Sequence, residues 1–316
     1  MVSYVLNGGP RPVADSTRQR VQDAIDTLQY HPSASARALR LQKNHSIGVL
    51  IPDISNPLFA EFIKVVQNLA FERGYSVIVG DTGLDPSREN AQVKSFLQRQ
   101  IDGIIAYGIR DPAALTKLVE SSVPLVSMDA EVAGSDVPTM LVDDSAAMED
   151  LVTHVISHGH RRIAVIAGPL HLAVTRLRIE GWRTALLKAG LDAGPELITE
   201  APFTRRGGRN AAVELLRLDD PPTAIVTISD VQAIGVLRAC SDLGLRVPAD
   251  IAVGSFDGTE ESEYVTPPLT AVRIPLDAMA LDALEQITDG MPLRHLVFPH
   301  ELLIRGSCGE HPELRA

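Results

Sequence analysis

The feature that most restricts the fold is an alternation of strand-like and helix-like stretches that runs through the chain twice. Residues 47–51 form a continuous run without a polar side chain, as a parallel strand buried on both faces requires. Ser55-Asn56-Pro57 follows as a helix start with proline in the first turn. Phe59, Phe62, Ile63, Val66, Leu69 and Ala70 then recur at helical spacing, and Gly74 ends the stretch. Further strands are expected at 75–79, 103–106, 124–128 and 141–143, with helices around Val93, Phe96 and Leu97 and at 113–119. The alternation then begins again. Helices are expected at 148–156, 176–187, 210–218 and 231–243, and strands at 163–166, 197–199, 224–227 and 251–255. Alternating β and α stretches imply parallel sheets, right-handed crossovers and ligand sites at the carboxyl ends of strands. Two such runs imply an α/β protein with two doubly wound lobes.

A length of 316 residues suits two or three domains, and 45% hydrophobic residues suffice for sizeable cores. Aromatic residues make up 4%, so packing falls to Ala, Val, Leu and Ile. Two cysteines, Cys240 and Cys308, give neither a disulfide framework nor a metal-ligand spacing. No apolar run approaches the length of about 18 residues that spans a bilayer, and no export signal is legible. The expected setting is the cytoplasm, away from membranes. The net charge is −11, yet residues 1–44 carry six basic side chains (Arg11, Arg18, Arg20, Arg37, Arg40, Lys43) against three acidic ones (Asp15, Asp23, Asp26). A basic segment on an acidic body fits nucleic-acid contact confined to one end.

Within that basic segment, residues 3–6 begin as a helix that Asn7-Gly8-Gly9-Pro10 stops. Asp15 or Ser16 can cap a second helix whose apolar positions are Val21, Ala24, Ile25 and Leu28, and Tyr30-His31-Pro32 ends it. Pro32 and Ser33 then suit the first turn of a short helix that carries Arg37, Leu39 and Arg40. A helix this short is marginal in water. Either phosphates order it through its arginines, or it is a solvated linker.

The order and spacing of Val2 to Gly8, Val13 to Val21, Ala24 to Tyr30, His31 to Arg40 and Ser46 to Phe59 resembles the LacI/GalR family of bacterial transcription repressors. The likeness runs from residue 2 to about residue 307. It implies a partial helix-turn-helix segment at 1–44, with a hinge helix at 32–40, ahead of a periplasmic-binding-protein-like core at 45–316. Within that core, one lobe would take about 46–145 plus 275–302 and the other about 146–274 plus 303–316, with residues 271–274 read as the return crossing. In the family the hinge helix folds when a dimer sits on its operator. The leucine matching Leu39 wedges into the minor groove, where an apolar side chain can unstack a base step and bend the duplex. DNA contacts are thereby expected from Ser3, Tyr4, Asn7, Ser33, Ala36, Arg37, Leu39 and Arg40. Family members carry a first helix and turn before this point, whereas this sequence opens inside the recognition helix. A mis-assigned start, a truncation or a real loss would each give that, and the intact hinge residues favour an incomplete chain.

Polar and aromatic residues cluster after the expected strands: Asp53, Ser55, Asn56 and Phe59, then Asp81, Asp129, Arg178, Phe203, Asp230 and Asp257. Carboxylates and amides can bond several hydroxyls, an arginine can bind in a fork, and an aromatic ring can cover an apolar face. Asp at such positions is also a common turn residue. The resemblance raises Arg178 in Arg178-Ile179-Glu180-Gly181-Trp182, Asp230 and Asp257. Ser229 and Ser255 depart from the family's usual Asn and Gly, and Leu58 stands where an aromatic is frequent. The expected ligand set is Asn56, Phe59, Asp129, Arg178, Phe203, Asp230 and Asp257.

His158 and His160 read as helix-end residues that favour the dipole, and no metal is expected. No phosphate-binding glycine loop, nucleophile elbow or other catalytic constellation is present, so no cofactor and no enzyme activity are expected. Asp143 and Asp144 read as loop residues. The expected function is effector-responsive, sequence-specific DNA binding, as a repressor sensing a small polar ligand such as a sugar. The expected partners are operator DNA, the effector and a second copy in a homodimer, without a membrane. The alternative is a solute-binding protein with no DNA role.

Overall fold

The computed structural model describes residue 5 and residues 13–28, 43–128, 136–290 and 294–309. It forms two units, residues 1–45 and 46–316. In the first, helix α1 (Asp15–Thr27) is capped by Ala14 rather than by a side chain, and Asp15 sits in the first turn where its charge favours the dipole. Its apolar stripe has the expected period, but no residue of the helix is fully buried and Leu28, just after it, is exposed. The eight residues expected to contact DNA lie outside the described residues.

The second unit holds two six-stranded sheets. In chain order it comprises β1 (Ser46–Ile51), α2 (Pro57–Glu72), β2 (Ser76–Asp81), α3 (Pro86–Gln98), β3 (Gly103–Tyr107), α4 (Pro112–Glu120), β4 (Leu125–Met128) and β5 (Thr139–Val142). The second run follows as α5 (Asp144–Ser157), β6 (Ile163–Ala167), α6 (Ala173–Lys188), β7 (Ile198–Glu200), α7 (Arg205–Leu215), β8 (Ala224–Thr227), α8 (Asp230–Leu243) and β9 (Ala252–Asp257). It closes with α9 (Glu260–Tyr264), β10 (Thr270–Arg273), α10 (Leu276–Thr288), β11 (Leu296–Phe298) and β12 (Glu301–Leu303). The first sheet has the order β11-β5-β4-β3-β1-β2 and is parallel throughout. The second has the order β12-β10-β9-β8-β6-β7 and is parallel except for its edge strand β12, antiparallel to β10.

The chain passes between lobes at Asp143, at Ile274-Pro275 and at Pro299-His300. Residues 271–274, expected as the return crossing, instead lie mostly in β10, which pairs with β9 inside the second sheet, and the chain leaves only after it. Burial explains why. Ala271 and Val272 are fully enclosed, and a strand with both faces covered is retained by its own sheet.

Local chemistry starts the helices at the strand ends. The Asn56 side chain accepts from Leu58 N at 3.1 Å and Pro57 fills the first turn of α2. Asp85 and Asp111 cap α3 and α4 in the same way, each followed by proline. Each sheet is covered on both faces: α5 and α6 pack together, as do α7 and α8, and α2 lies against α10. Gly181 sets the α5–α6 spacing, because a Cβ there would meet Ser145 O at 2.1 Å. Trp182, next to it, is wholly buried and donates Nε1 to Ile163 O at 3.1 Å.

Candidate functional site: a cleft between the lobes

A cavity of about 540 Å³ lies between the carboxyl ends of the two sheets. From the first lobe it takes Asp53, Asn56, Leu58 and Phe59 after β1, Leu84 after β2, and Tyr107 and Arg110 at and after β3. From the second it takes Asp144, Leu172, Val174, Arg178, Glu200, Phe203, Thr204, Ile228, Ser229 and Asp257. Five of the expected ligand residues, Asn56, Phe59, Arg178, Phe203 and Asp257, therefore share one wall-to-wall space. Asp129 lies outside the described residues.

Arg178 is the best anchored of them. It is 6% exposed, and its Nε donates to Asp144 Oδ1 at 2.7 Å. Nη1 donates to Ile228 O at 2.6 Å and, more loosely, to Asp257 Oδ1 at 3.5 Å. The guanidinium carbon stands 3.6 Å from the centre of the buried Phe256 ring, a cation–π contact. Nη2 makes no hydrogen bond among the described residues, so the fork has one tooth left for a ligand. The Arg-x-x-Gly-Trp sequence explains the placement: Gly181 lets α6 close on the start of α5, where Asp144 sits. Although burial works against the Arg178 charge, Asp144 and Asp257 outweigh it and raise the pKa, so the side chain remains a cation. Burial raises the Asp144 carboxyl despite the neighbouring arginine. It pushes Asp257 well above its ordinary range, again against the pull of Arg178.

Asp257 closes β9 with φ at +111°, a region costly for a residue with a side chain, and Gly258 follows at +65°. Asp230 holds this turn. Its carboxylate accepts from Thr259 N and Thr259 Oγ1, each at 2.7 Å, and from Ser255 Oγ, while its own N–H reaches Asp257 Oδ2 at 3.4 Å. Asp230 is 1% exposed and does not line the cavity. It lies behind the cavity wall, unlike the other expected ligand residues described. The serine at 255 and the loop hydroxyl at 259 draw the carboxylate inward, and burial raises its pKa to about 6 against those hydrogen bonds.

The aromatic residues come from opposite lobes. Phe59, on α2, packs edge-on against Tyr107 with ring centres 5.0 Å apart. Phe203 lies over Gly168, where a Cβ would come within 2.3 Å of the ring. Asn56 spends its carbonyl on the α2 cap, so its amide N–H groups are what it can offer a ligand. Asp53 accepts from Ser55 N and Oγ, and Asp81 from Ile54 N and Gly83 N, which makes both turn residues. Tyr107, Arg110, Glu200 and Asp144 were not expected in the site. Tyr107 ends an apolar strand and Asp144 begins a helix, and their sequence neighbourhoods signal only that. Asp143 does act as a loop residue, accepting from Ala146 N at 2.9 Å. Among the described residues no helix is long and apolar enough to cross a membrane.

Two sheets joined by three crossings, with a polar cleft at their strand ends, define a two-lobed binding core. The profile of the periplasmic binding protein-like domain matches residues 152–308. The HTH-type transcriptional repressor CytR of Escherichia coli (strain K12) is 32% identical over 309 residues, covering 96% of this chain and 91% of that protein. The ribose operon repressor of the same organism is 36% identical over 289 residues, covering 90% of this chain and 87% of that protein. A crystal structure of the lac repressor dimer bound to operator and the anti-inducer ONPF matches with a TM-score of 0.84 at 25% identity, over 98% of this chain and 94% of that one. The chain belongs to the LacI/GalR family of transcription regulators. These relatives are regulators rather than enzymes.

Proposed function

We propose that this protein is a repressor whose affinity for DNA is set by a small polar effector of the sugar class, held between the lobes. The observation that carries the reading is Arg178, a buried cation fixed on one side by Asp144 and Ile228 O, with Nη2 left for a ligand in a cavity of about 540 Å³. Asp257, Asn56 and Ser229 supply acceptors and donors suited to vicinal hydroxyls. Phe59 and Phe203 supply apolar faces, one from each lobe, for the C–H side of a sugar ring. A ligand touching both walls favours the lobes coming together, and Glu260 N donating to Glu61 Oε1 at 2.8 Å already links one lobe to the other.

Coupling follows from differential affinity. Whatever the effector does to DNA binding, DNA does to effector binding by the same factor. In this reading a homodimer meets a roughly two-fold operator. Ser3, Tyr4, Asn7, Ser33, Ala36, Arg37, Leu39 and Arg40 contact DNA, with Leu39 as the minor-groove wedge. Support comes from the match to three repressors over most of the chain and from the basic excess in residues 1–44.

Calorimetric titration with pentoses, hexoses, disaccharides and nucleosides tests the effector class. One of them is expected to bind at one molecule per chain, with binding lost in Arg178→Met. Silence across the panel, or full binding by the variant, would refute the reading. For the wedge, Leu39→Ala is expected to weaken operator binding while leaving effector binding intact, and equal operator affinity would rule that role out.

A further inference from the structure

On the far side of the second lobe lies a cluster that the effector site does not use. His154 and His158 stand one helical turn apart on the last turn and cap of α5, so they share a face. Cys308, 154 positions beyond His154, is buried against them. His154 Nε2 and Cys308 Sγ are 3.3 Å apart, and the two imidazole rings meet edge-on with centres 4.9 Å apart. One donor atom from each of the three side chains lies within 4.8 Å of the other two. The sequence reads His158 and His160 as helix-end residues and leads to no metal there. His160 lies beside the cluster, with its Nδ1 3.1 Å from Thr223 Oγ1, while His158 meets His154 and Cys308.

We propose that His154, His158 and Cys308 form a binding site for a borderline-soft divalent metal ion of the Zn²⁺ class. Two imidazoles and a thiolate are a donor set such ions prefer. Bonds of about 2.1 Å to nitrogen and 2.3 Å to sulfur at a tetrahedral angle put donors about 3.6 Å apart. The histidine–cysteine pair already has that spacing, and the widest separation must close by about 1 Å, which small side-chain rotations supply. Thr270 Oγ1, 3.0 Å from Cys308 Sγ, is placed to hold the sulfur in position. On binding, the Cys308 thiol gives its proton to solvent and the metal takes the thiolate. A fourth position remains for water or an added ligand.

The site is remote from the effector cleft. The residue before Cys308, Ser307, is bonded to Val253 N through its carbonyl and to Thr270 N through its hydroxyl, at the amino ends of β9 and β10. The cleft is at the carboxyl ends. A bound metal would tie the segment after β12 to helix α5 and so fasten the last crossing to the second lobe.

The test is titration of the reduced, chelator-stripped full chain with Co²⁺ as a spectroscopic probe, followed by displacement with Zn²⁺. The expected result is thiolate-to-cobalt absorption that saturates at one ion per chain and is lost when Zn²⁺ is added. Cys308→Ser should abolish the band and Cys240→Ser should keep it. Because Cys308 is buried, His154→Gln and His158→Gln serve as the independent arm. Each is expected to weaken binding by about 10- to 100-fold or more, given that loss of even an outer partner has that effect, while metal-free unfolding temperatures stay as in the parent. No saturating band, a band that survives in Cys308→Ser, or undiminished affinity in both histidine variants would overturn the assignment.

Discussion

Replacing Arg178 by methionine keeps the side chain's bulk and removes its charge, leaving two carboxylates, Asp144 and Asp257, buried at 6% and 3% exposure without their cation. Two charges about 4 Å apart at an effective dielectric near 20 attract by about 4 kcal/mol. Breaking a buried pair by removing one partner costs about 3–5 kcal/mol. For a unit of this size, that corresponds to a fall in melting temperature of roughly 6–12 °C. The loss should depend on pH in a definite sense. Both carboxyls already titrate above their ordinary values because of burial, and without Arg178 they rise further. Each then takes up a proton in the folded state at a pH where the unfolded chain leaves it ionised. Stability of the variant relative to the parent therefore improves as pH falls from neutral through the raised folded values. Urea unfolding of the parent and Arg178→Met at pH 7 and pH 5 reads this directly. Adding Asp144→Asn should recover about 1–2 kcal/mol at pH 7, because one uncompensated charge is gone, while ligand binding stays lost. A variant as stable as the parent at pH 7, or an equal loss at both pH values, would refute the assignment of Arg178 as the charge that holds the site.

Other outcomes follow from the same geometry. Gly181→Ala, whose new methyl would press on Ser145 O at 2.1 Å, is expected to cost about 1–3 kcal/mol and to weaken effector binding without touching the cavity, as unfolding and calorimetry together would show. Gly168→Ala should push the Phe203 ring, 2.3 Å from the added carbon, and lower effector affinity with little change in melting temperature. Asp230, raised to about 6 by burial, binds its proton more tightly in the folded than in the unfolded chain, so parent stability should decline as pH rises from about 4 to about 6. The decline amounts to no more than about 3 kcal/mol, and Asp230→Asn should flatten that part of the unfolding profile.

The sheets are legible because β1, β3, β6 and β8 are short apolar runs bounded by turn residues and alternating with helical stretches, the pattern of parallel strands covered on both faces. Sheet membership at the crossings was harder to see. Residues 270–273 look alike whether they stay with β9 or cross over, and pairing with Gly254 to Asp257 decides it. In the site, Arg178 is legible from its forked donors and from the family's Arg-x-x-Gly-aromatic segment, and Phe203 from an aromatic ring placed after a strand. Asp230 and Asp257 occupy the same kind of position after a strand, and the sequence gives no measure of which carboxylate turns outward. Ser255 and Thr259 settle that by bonding Asp230. Tyr107 and Glu200 reach the cleft because their strands end there, which is a property of register rather than of local pattern. His154, His158 and Cys308 meet only once the chain has crossed between lobes three times.

In the proposed function the cleft and the DNA-binding segment are coupled. The measurement that tests it most directly is selection from a random-sequence DNA pool by the full-length protein at fixed salt, with and without the ligand that calorimetry identifies. Enrichment of a roughly two-fold symmetric site is expected, with a change of about tenfold or more in its affinity when ligand is added, the size typical of a coupling between sites. Absence of a symmetric site, or a site bound equally well with and without ligand, would contradict it.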